Sequence, residues 1–161
     1  MFGLALAALD RADPDPELFY CAALIHDFGI DPPVAGEDFT LRSADRALAC
    51  ASAAGIPDEN GELLADAICV HATPGATPER DGELGCYVQW GAMADGAGLR
   101  LWDISEQNVD AVLDTHPRGA GFKSEFASRF RTEAAAVPRG RFALLARCGV
   151  PLAVRLAPFL D

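Results

Sequence analysis

The chain has little positive charge over most of its length. Residues 1–117 carry 21 acidic side chains against 5 basic ones, and the 161 residues together have a formal net charge of −11. This balance argues against nucleic acid or a membrane surface as a partner, because both bind basic surfaces. Residues 118–161 reverse it, with 8 bases against 3 acids. We expect those bases to lie on solvated helix faces; docking on the acidic part of the chain, or on a neighbouring protein, is the alternative.

Paired cysteines and long apolar runs are also missing. An odd, scattered set of cysteines suits buried thiols in a reducing compartment better than a disulfide framework. Asp10 and Arg155 interrupt the two longest apolar stretches, so neither reaches the length of a membrane span. No basic leader precedes the first apolar residues, and we expect a cytoplasmic protein. The five cysteines are Cys21, Cys50, Cys69, Cys86 and Cys148.

Strand-like alternation is nearly absent, whereas apolar residues recur at helical spacing. Hydrophobic residues make up 50% of the chain, which is enough to bury one core. The sequence therefore predicts an all-α fold, a single helical bundle over residues 1–161. After the apolar opening segment, helices are predicted over 16–28, 43–55, 57–71, 82–95, 105–115, 121–136 and 140–148.

Capping residues set the expected ends of these helices. Asp15 followed by a proline predicts a helix start, and Gly29 predicts the end of the same helix. Ser43, with an acid at Asp45, predicts the start of the next one. In the helix predicted over 57–71, Leu63 belongs to the apolar stripe that leads to His71.

His26 and Asp27 stand side by side at the end of an apolar helix, and this pair is the strongest chemical signal in the chain. Removing an imidazole and a carboxylate from water together is costly unless something compensates them, and a metal cation does so. The alternative is a core histidine beside an acid at a helix end. His71 and Asp95 also end apolar helices, so all four side chains can converge at one mouth of a bundle. Such ligands suit divalent iron, zinc or manganese.

The other two candidates have ordinary alternatives of their own. His71 is equally well explained as a cation that caps a helix C-terminus. Asp95 precedes glycines, where surface acids are common, although a negative charge there opposes the helix dipole. His116 comes just before a proline and is expected in a loop, outside the site.

Five segments resemble the cyanamide hydratase-like branch of the HD-domain metalloprotein superfamily, and together they span about residues 2–130. The resemblance implies an HD-type bundle in which His26, Asp27 and Asp95 bind the metal. His71 would face the pocket, where it positions substrate or water or approaches the metal. The segments are 17–29, 39–45, 67–75 with its His-Ala-Thr-Pro-Gly run, 90–96, and 117–123 with its Pro-Arg and Gly-Phe-Lys residues.

The chain departs from the family pattern at two places. The pattern is His…His-Asp…Asp, with its first histidine one helix earlier, and no histidine precedes His26 here. Residues 2–9 resemble the part of the first helix that follows that ligand, so the N-terminal helix is either truncated or has lost the ligand. Thr40 and Arg42 stand where the family tends to carry acids, which predicts a different pocket polarity.

Three functions remain open from the sequence. The first is a metal-dependent hydratase or hydrolase that adds water to a small neutral substrate such as cyanamide or a nitrile, with His71 moving protons. The second is an HD-type phosphohydrolase acting on a nucleotide or another phosphoester, which requires cations aimed at the phosphate. The third is a catalytically impaired binding module. A small molecule is the expected partner, and a homo-oligomer is left open. The candidate phosphate-binding cations are Arg42, Arg46, Arg118 and Lys123.

Overall fold

The protein is built from α-helices joined by short loops, in a computed structural model that describes residues 1–159. The expected all-α fold is confirmed, and no β-strand forms within these residues. Residues 160 and 161, the end of the predicted domain, lie outside the described part. The helices are α1 (Phe2–Asp10), α2 (Pro16–Ile25), α3 (Phe39–Ala54), α4 (Asp58–Val70), α5 (Pro78–Asp81), α6 (Glu83–Ala97), α7 (Glu106–Thr115), α8 (Phe122–Ala136), α9 (Arg141–Arg147) and α10 (Val150–Leu156), with 3₁₀ turns at Phe28–Ile30 and Leu101–Asp103.

None of the helices in residues 1–159 is both long and apolar enough to cross a membrane. The longest, α3, has 16 residues and carries the charged side chains Arg42, Asp45 and Arg46. A spanning helix needs about 20 mostly apolar residues.

The main core lies between α1, α2, α4 and α6. Two glycines let α1 and α6 approach closely, because a Cβ at Gly3 would lie 2.2 Å from the carbonyl oxygen of Tyr87, and one at Gly91 would lie 2.8 Å from the backbone nitrogen of Gly3. Phe19 of α2 and Ile68 of α4 complete the buried cluster. This packing fixes the C-terminal ends of α2 and α4 beside each other.

A second, aromatic cluster joins the C-terminal helices to α3. The rings of Phe130 and Phe142 stack with centroids 4.2 Å apart, and the Phe39 ring lies 4.2 Å from that of Phe142. Ile30 and Leu145 are buried in the same cluster. The helices α8 and α9 are thereby held against the start of α3 and the 3₁₀ turn that follows α2.

Most predicted helix starts agree with the structure within a few residues, but α3 does not begin at Ser43. Asp15 caps α2 as expected, accepting hydrogen bonds from the backbone nitrogens of the second and third helical residues. Helix α3 begins four residues earlier than predicted, at Phe39, because Asp38 accepts from the backbone nitrogen of Thr40 and caps it. Ser43 is fully buried inside the helix, where it serves a different purpose.

Two further expectations about helix ends and faces are corrected. Helix α2 ends at Ile25 rather than near Phe28, and the chain turns into a 3₁₀ segment that contains Gly29. Leu63 is 52% exposed, so the buried stripe of α4 consists of its neighbours Leu64 and Ile68.

The basic C-terminal region docks on the acidic body instead of lying only on solvated faces. Ion pairs join Arg118 to Asp95 at 2.6 Å, Arg129 to Asp31 at 3.2 Å and Arg141 to Asp38 at 3.3 Å. The structure therefore shows the alternative expectation, in which basic residues of 118–161 dock on acidic residues of 1–117.

Replacing Asp38 by alanine is expected to destabilise the protein by about 1–2 kcal/mol at neutral pH, because α3 loses its cap. Burial acts to raise the pKa of Asp38, but hydrogen bonds from Arg141 and Thr40 outweigh it and lower that pKa. The stabilisation is therefore present above the ordinary aspartate pKa of about 4 and is lost as the pH falls below it. Urea unfolding between pH 7 and pH 3 measures the loss.

The exposed Asp45 of the same helix provides the matched control. Asp45→Ala should change the free energy of unfolding by less than about 0.5 kcal/mol. An Asp38→Ala deficit that stays constant down to pH 3 would contradict this account of the cap.

Candidate metal centre

His26 and His71 meet where α2 and α4 end. Each is the first residue after its helix, and its backbone nitrogen donates to the carbonyl oxygen four residues earlier. The ring centroids lie 4.9 Å apart with the planes nearly perpendicular. His71 is only 4% exposed, and its other side contacts the ring of Phe39. Packing of α2 on α4 therefore brings together two histidines that are 45 residues apart in the sequence.

The carboxylate of Asp27 lies between the two histidines. Its Oδ2 is 3.3 Å from Nε2 of His26, and its Oδ1 is 3.5 Å from Nε2 of His71. The Nδ1 atoms point the other way and bond to backbone carbonyls, of Ala23 at 2.7 Å and of Ile68. A carbonyl can only accept, so each Nδ1 carries hydrogen. Each Nε2 then donates to Asp27 when its ring is protonated, and offers its lone pair to a cation when the ring is neutral.

This donor set fits a divalent metal ion. One ligand atom from each of His26, Asp27 and His71 lies within 4.8 Å of the others. With bonds of about 2.0–2.1 Å, tetrahedral ligand atoms stand about 3.3–3.4 Å apart. The two histidine–carboxylate separations, 3.3 Å to Oδ2 and 3.5 Å to Oδ1 of Asp27, are close to this value. A histidine that binds metal through one nitrogen commonly donates the other N–H to a carbonyl, as both do here. The three residues could therefore hold a metal ion with little rearrangement.

The electrostatics of the group favour a cation. Burial acts to raise the pKa of Asp27, but the charges and hydrogen bonds of His26 and His71 outweigh it and hold that pKa well below its usual range. Burial also acts to lower the pKa of His26, yet the carboxylates of Asp27 and Asp95 together raise it. Asp27 is thus ionised throughout the neutral range, which is the state a metal ligand needs.

A set of buried polar contacts, which we call the Gly29 clamp, fixes the turn that carries Asp27. Ser43 Oγ accepts from the backbone nitrogen of Gly29 at 2.8 Å, and Arg42 Nε donates to the Gly29 carbonyl at 3.0 Å. A Cβ on Gly29 would lie 2.2 Å from the carbonyl oxygen of Phe39, so only glycine allows this approach. The turn is therefore pinned to the first two turns of α3.

Glu133 anchors the Gly29 clamp from α8. Its side chain is 1% exposed, and its two oxygens accept from the backbone nitrogen of Phe39 and from Arg42 Nη2, each at 2.9 Å. Both charges of this ion pair are largely shielded from water, and Arg42 also donates to the Glu37 carbonyl. A buried carboxylate that is paired and hydrogen-bonded in this way fixes the relative positions of its partners, because removing one partner leaves the other charge buried and unpaired.

The candidate site opens onto a cavity of about 190 Å³. His26, Asp27, His71 and Asp95 all line it, so the four predicted side chains meet at one cavity. The side chain of Asp27 is 37% exposed, so its carboxylate can be reached from the cavity. The rest of the wall is mostly apolar and includes Met93, Phe122, Phe126, Phe142, Leu145 and Val154.

Asp95 lines the cavity but stands outside the three-residue group. Its Oδ1 accepts from Arg118 Nη2 at 2.6 Å, and its backbone carbonyl accepts from the same guanidinium. The Cζ atom of that guanidinium lies over the rings of Phe122 and Phe159, 4.9 and 3.8 Å from their centroids. His71, and not Asp95, thus joins His26 and Asp27 in the group, whereas the family resemblance implied Asp95 as the third ligand.

The other residues considered from the sequence lie elsewhere. His116 lines a neighbouring groove beside α1 and α2, which His26, Asp95 and Arg118 also line, but it is not part of the three-residue group. Thr40 is fully buried and bonds to Asp38, while Arg42 belongs to the Gly29 clamp, so neither sets the polarity of the cavity. The aromatic wall from α8 and α9 was not predicted from the sequence, although the phenylalanine spacing in 122–130 is a signal for it.

Comparisons with protein-family models, with curated proteins and with solved structures gave no match.

Replacing Ser43 by alanine should loosen the turn that carries Asp27. The buried N–H of Gly29 loses its partner, which costs about 1–3 kcal/mol of folding free energy. Ser52 lies on the exposed face of the same helix, and Ser52→Ala should be nearly neutral. Equal free energies of unfolding for the two variants, from urea titrations, would contradict the role of the Gly29 clamp.

The geometry also predicts how zinc affinity responds to changes in the group. His71→Ala should weaken binding by more than about 100-fold, since even partners of ligands are worth 10–100-fold. Asp95→Asn should weaken it by less than about 10-fold, because that carboxylate contributes charge from outside the group. Calorimetric zinc titration measures both. A larger loss for Asp95→Asn than for His71→Ala would show that Asp95 is the ligand.

Proposed function

We propose that the protein is a metal-dependent hydratase or hydrolase that adds water to a small neutral substrate, of which cyanamide or a nitrile is the expected type. The observation that carries this proposal is the His26–Asp27–His71 group in the lining of a cavity whose remaining wall, apart from Asp95, is mostly apolar. The sequence resemblance to the cyanamide hydratase-like branch of HD-domain proteins supports the same chemistry. The ion would be iron, zinc or manganese.

The residues around the cavity would have two roles, metal binding and proton transfer. His26, Asp27 and His71 would hold the ion, which supplies an activated water and polarises the substrate. Because both histidines then use their Nε2 atoms as ligands, Asp95 is the remaining titratable side chain in the wall. Asp95 would accept a proton from the attacking water and return it to the substrate nitrogen, replacing His71 in the role predicted from the sequence. Arg118 fixes the Asp95 carboxylate in position.

The structure offers little support for phosphoester hydrolysis. No Arg or Lys is among the described residues that line the cavity. Arg42 pairs with Glu133, and Arg118 pairs with Asp95. The Arg46 guanidinium lies over the ring of Phe28, and Lys123 Nζ donates to backbone carbonyls near the end of the chain. A phosphate in the cavity would therefore depend on the metal alone for its neutralisation.

The proposal is tested by turnover of cyanamide and of simple nitriles by the chain loaded separately with iron, zinc and manganese. Product is measured as urea or amide, alongside a panel of nucleotide phosphoesters. We expect hydration with at least one metal, and loss of rate by about 100-fold or more in Asp95→Asn with the metal still bound.

Asp31→Asn serves as the control, since Asp31 is an exposed acid outside the cavity. Hydrolysis of a nucleotide without hydration of any nitrile would replace this proposal with the phosphohydrolase. A folded chain that binds no metal would leave the catalytically impaired binding module as the remaining candidate function.

A further inference from the structure

The walls of the cavity are more apolar than cyanamide requires. Helices α8, α9 and α10 contribute Phe122, Phe126, Phe142, Leu145 and Val154 to the lining of the cavity that the His26–Asp27–His71 group also lines. Polar side chains are confined to the end that carries the group and Asp95. A ligand that fills the space would therefore be apolar over most of its surface and polar at one end.

The size of the cavity sets the size of that apolar part. At about 190 Å³ it is larger than the apolar cavity of about 150 Å³ that is known to take up benzene. The space accommodates a six-membered ring together with a small polar group. Cyanamide has only a few heavy atoms and would leave the aromatic walls without contacts, which forfeits the transfer free energy of burying apolar surface.

The charge of the ligand is limited by the same walls. Asp27 and Asp95 are the acids of the cavity lining, and neither Arg nor Lys belongs to it among the described residues. A carboxylate or phosphate would lose its hydration, would meet the negative charge of Asp95, and would have a bound metal ion but no cationic side chain of the lining to neutralise it. A neutral polar group loses much less.

We propose that the cavity binds an uncharged molecule with a hydrophobic substituent about the size of a phenyl ring, its neutral polar group directed at His26, Asp27 and His71. The choice of the reacting group rests on the proposed function. An aromatic or aliphatic nitrile satisfies both the hydration chemistry and the apolar lining of the cavity. Hydration of such a nitrile needs one water and no other reactant. The water oxygen bonds to the nitrile carbon, two of the three C–N bonds are replaced, and both water protons end on nitrogen to give the amide.

The test compares binding of benzonitrile, benzoate and cyanamide to the zinc-loaded full chain by NMR titration. Benzonitrile and benzoate share a ring and differ in charge, while cyanamide lacks the ring. We expect benzonitrile to bind at least 10-fold more tightly than either of the others. Equal or tighter binding of cyanamide or benzoate would overturn the proposal.

Variants of α10 locate the bound ring. Val154→Phe fills the cavity and should weaken benzonitrile binding at least 10-fold, whereas Leu152→Phe, at an exposed position of the same helix, should leave it unchanged. If Val154→Phe does not fold, Val150→Phe takes its place, since Val150 lines the cavity and is only half-buried. A folded variant of either kind with unchanged benzonitrile affinity would contradict this location.

Turnover separates this inference from the proposed function. Tight binding of benzonitrile without any conversion to benzamide would support the apolar subsite and count against the hydratase. Conversion of cyanamide without preferential binding of benzonitrile would support the hydratase and overturn the inference.

Discussion

The carboxylate of Asp27 between the Nε2 atoms of His26 and His71 is the interaction on which the candidate site depends. Two imidazoles and a carboxylate are brought together at the end of a helical core, where burial alone would favour their neutral forms. Mutual attraction keeps the carboxylate ionised, and the two Nδ1 hydrogens are bound to backbone carbonyls. The result is a set of three potential metal ligands that face one another and whose orientation is fixed without a bound cation.

That arrangement is maintained by structure on both sides of it. Close packing of α1 on α6, and of α2 on α4, sets where the two histidines stand. The Gly29 clamp sets where Asp27 stands, through contacts that reach from α3 to Glu133 on α8. The C-terminal helices therefore have two effects, since they anchor the turn through Glu133 and close the cavity with their aromatic side chains. Stability and site geometry are coupled through the same buried residues.

Local patterns in the sequence predicted the helices, because capping residues and apolar spacing act over a few residues. Asp15 is an example, since its cap depends only on the backbone that follows it. The start of α3 was missed although its cap is local, since Asp38 Oδ1 accepts from the backbone nitrogen of Thr40. What holds Asp38 in place is distant: the backbone nitrogen of Arg141, 103 residues away, donates to its other oxygen. Likewise, Ser43 was taken for a cap although its hydroxyl is used by Gly29. The pairing of Asp95 with Arg118 also depends on long-range packing, which spacing alone does not reveal.

The most direct test of the central claim is to locate the metal by anomalous diffraction from crystals of the zinc-loaded chain. The account predicts one ion within about 2.0–2.2 Å of Nε2 of His26, Nε2 of His71 and a carboxylate oxygen of Asp27. Asp95 would remain paired with Arg118. An ion bound by Asp95 in place of His71, or a zinc site away from these residues, would contradict it.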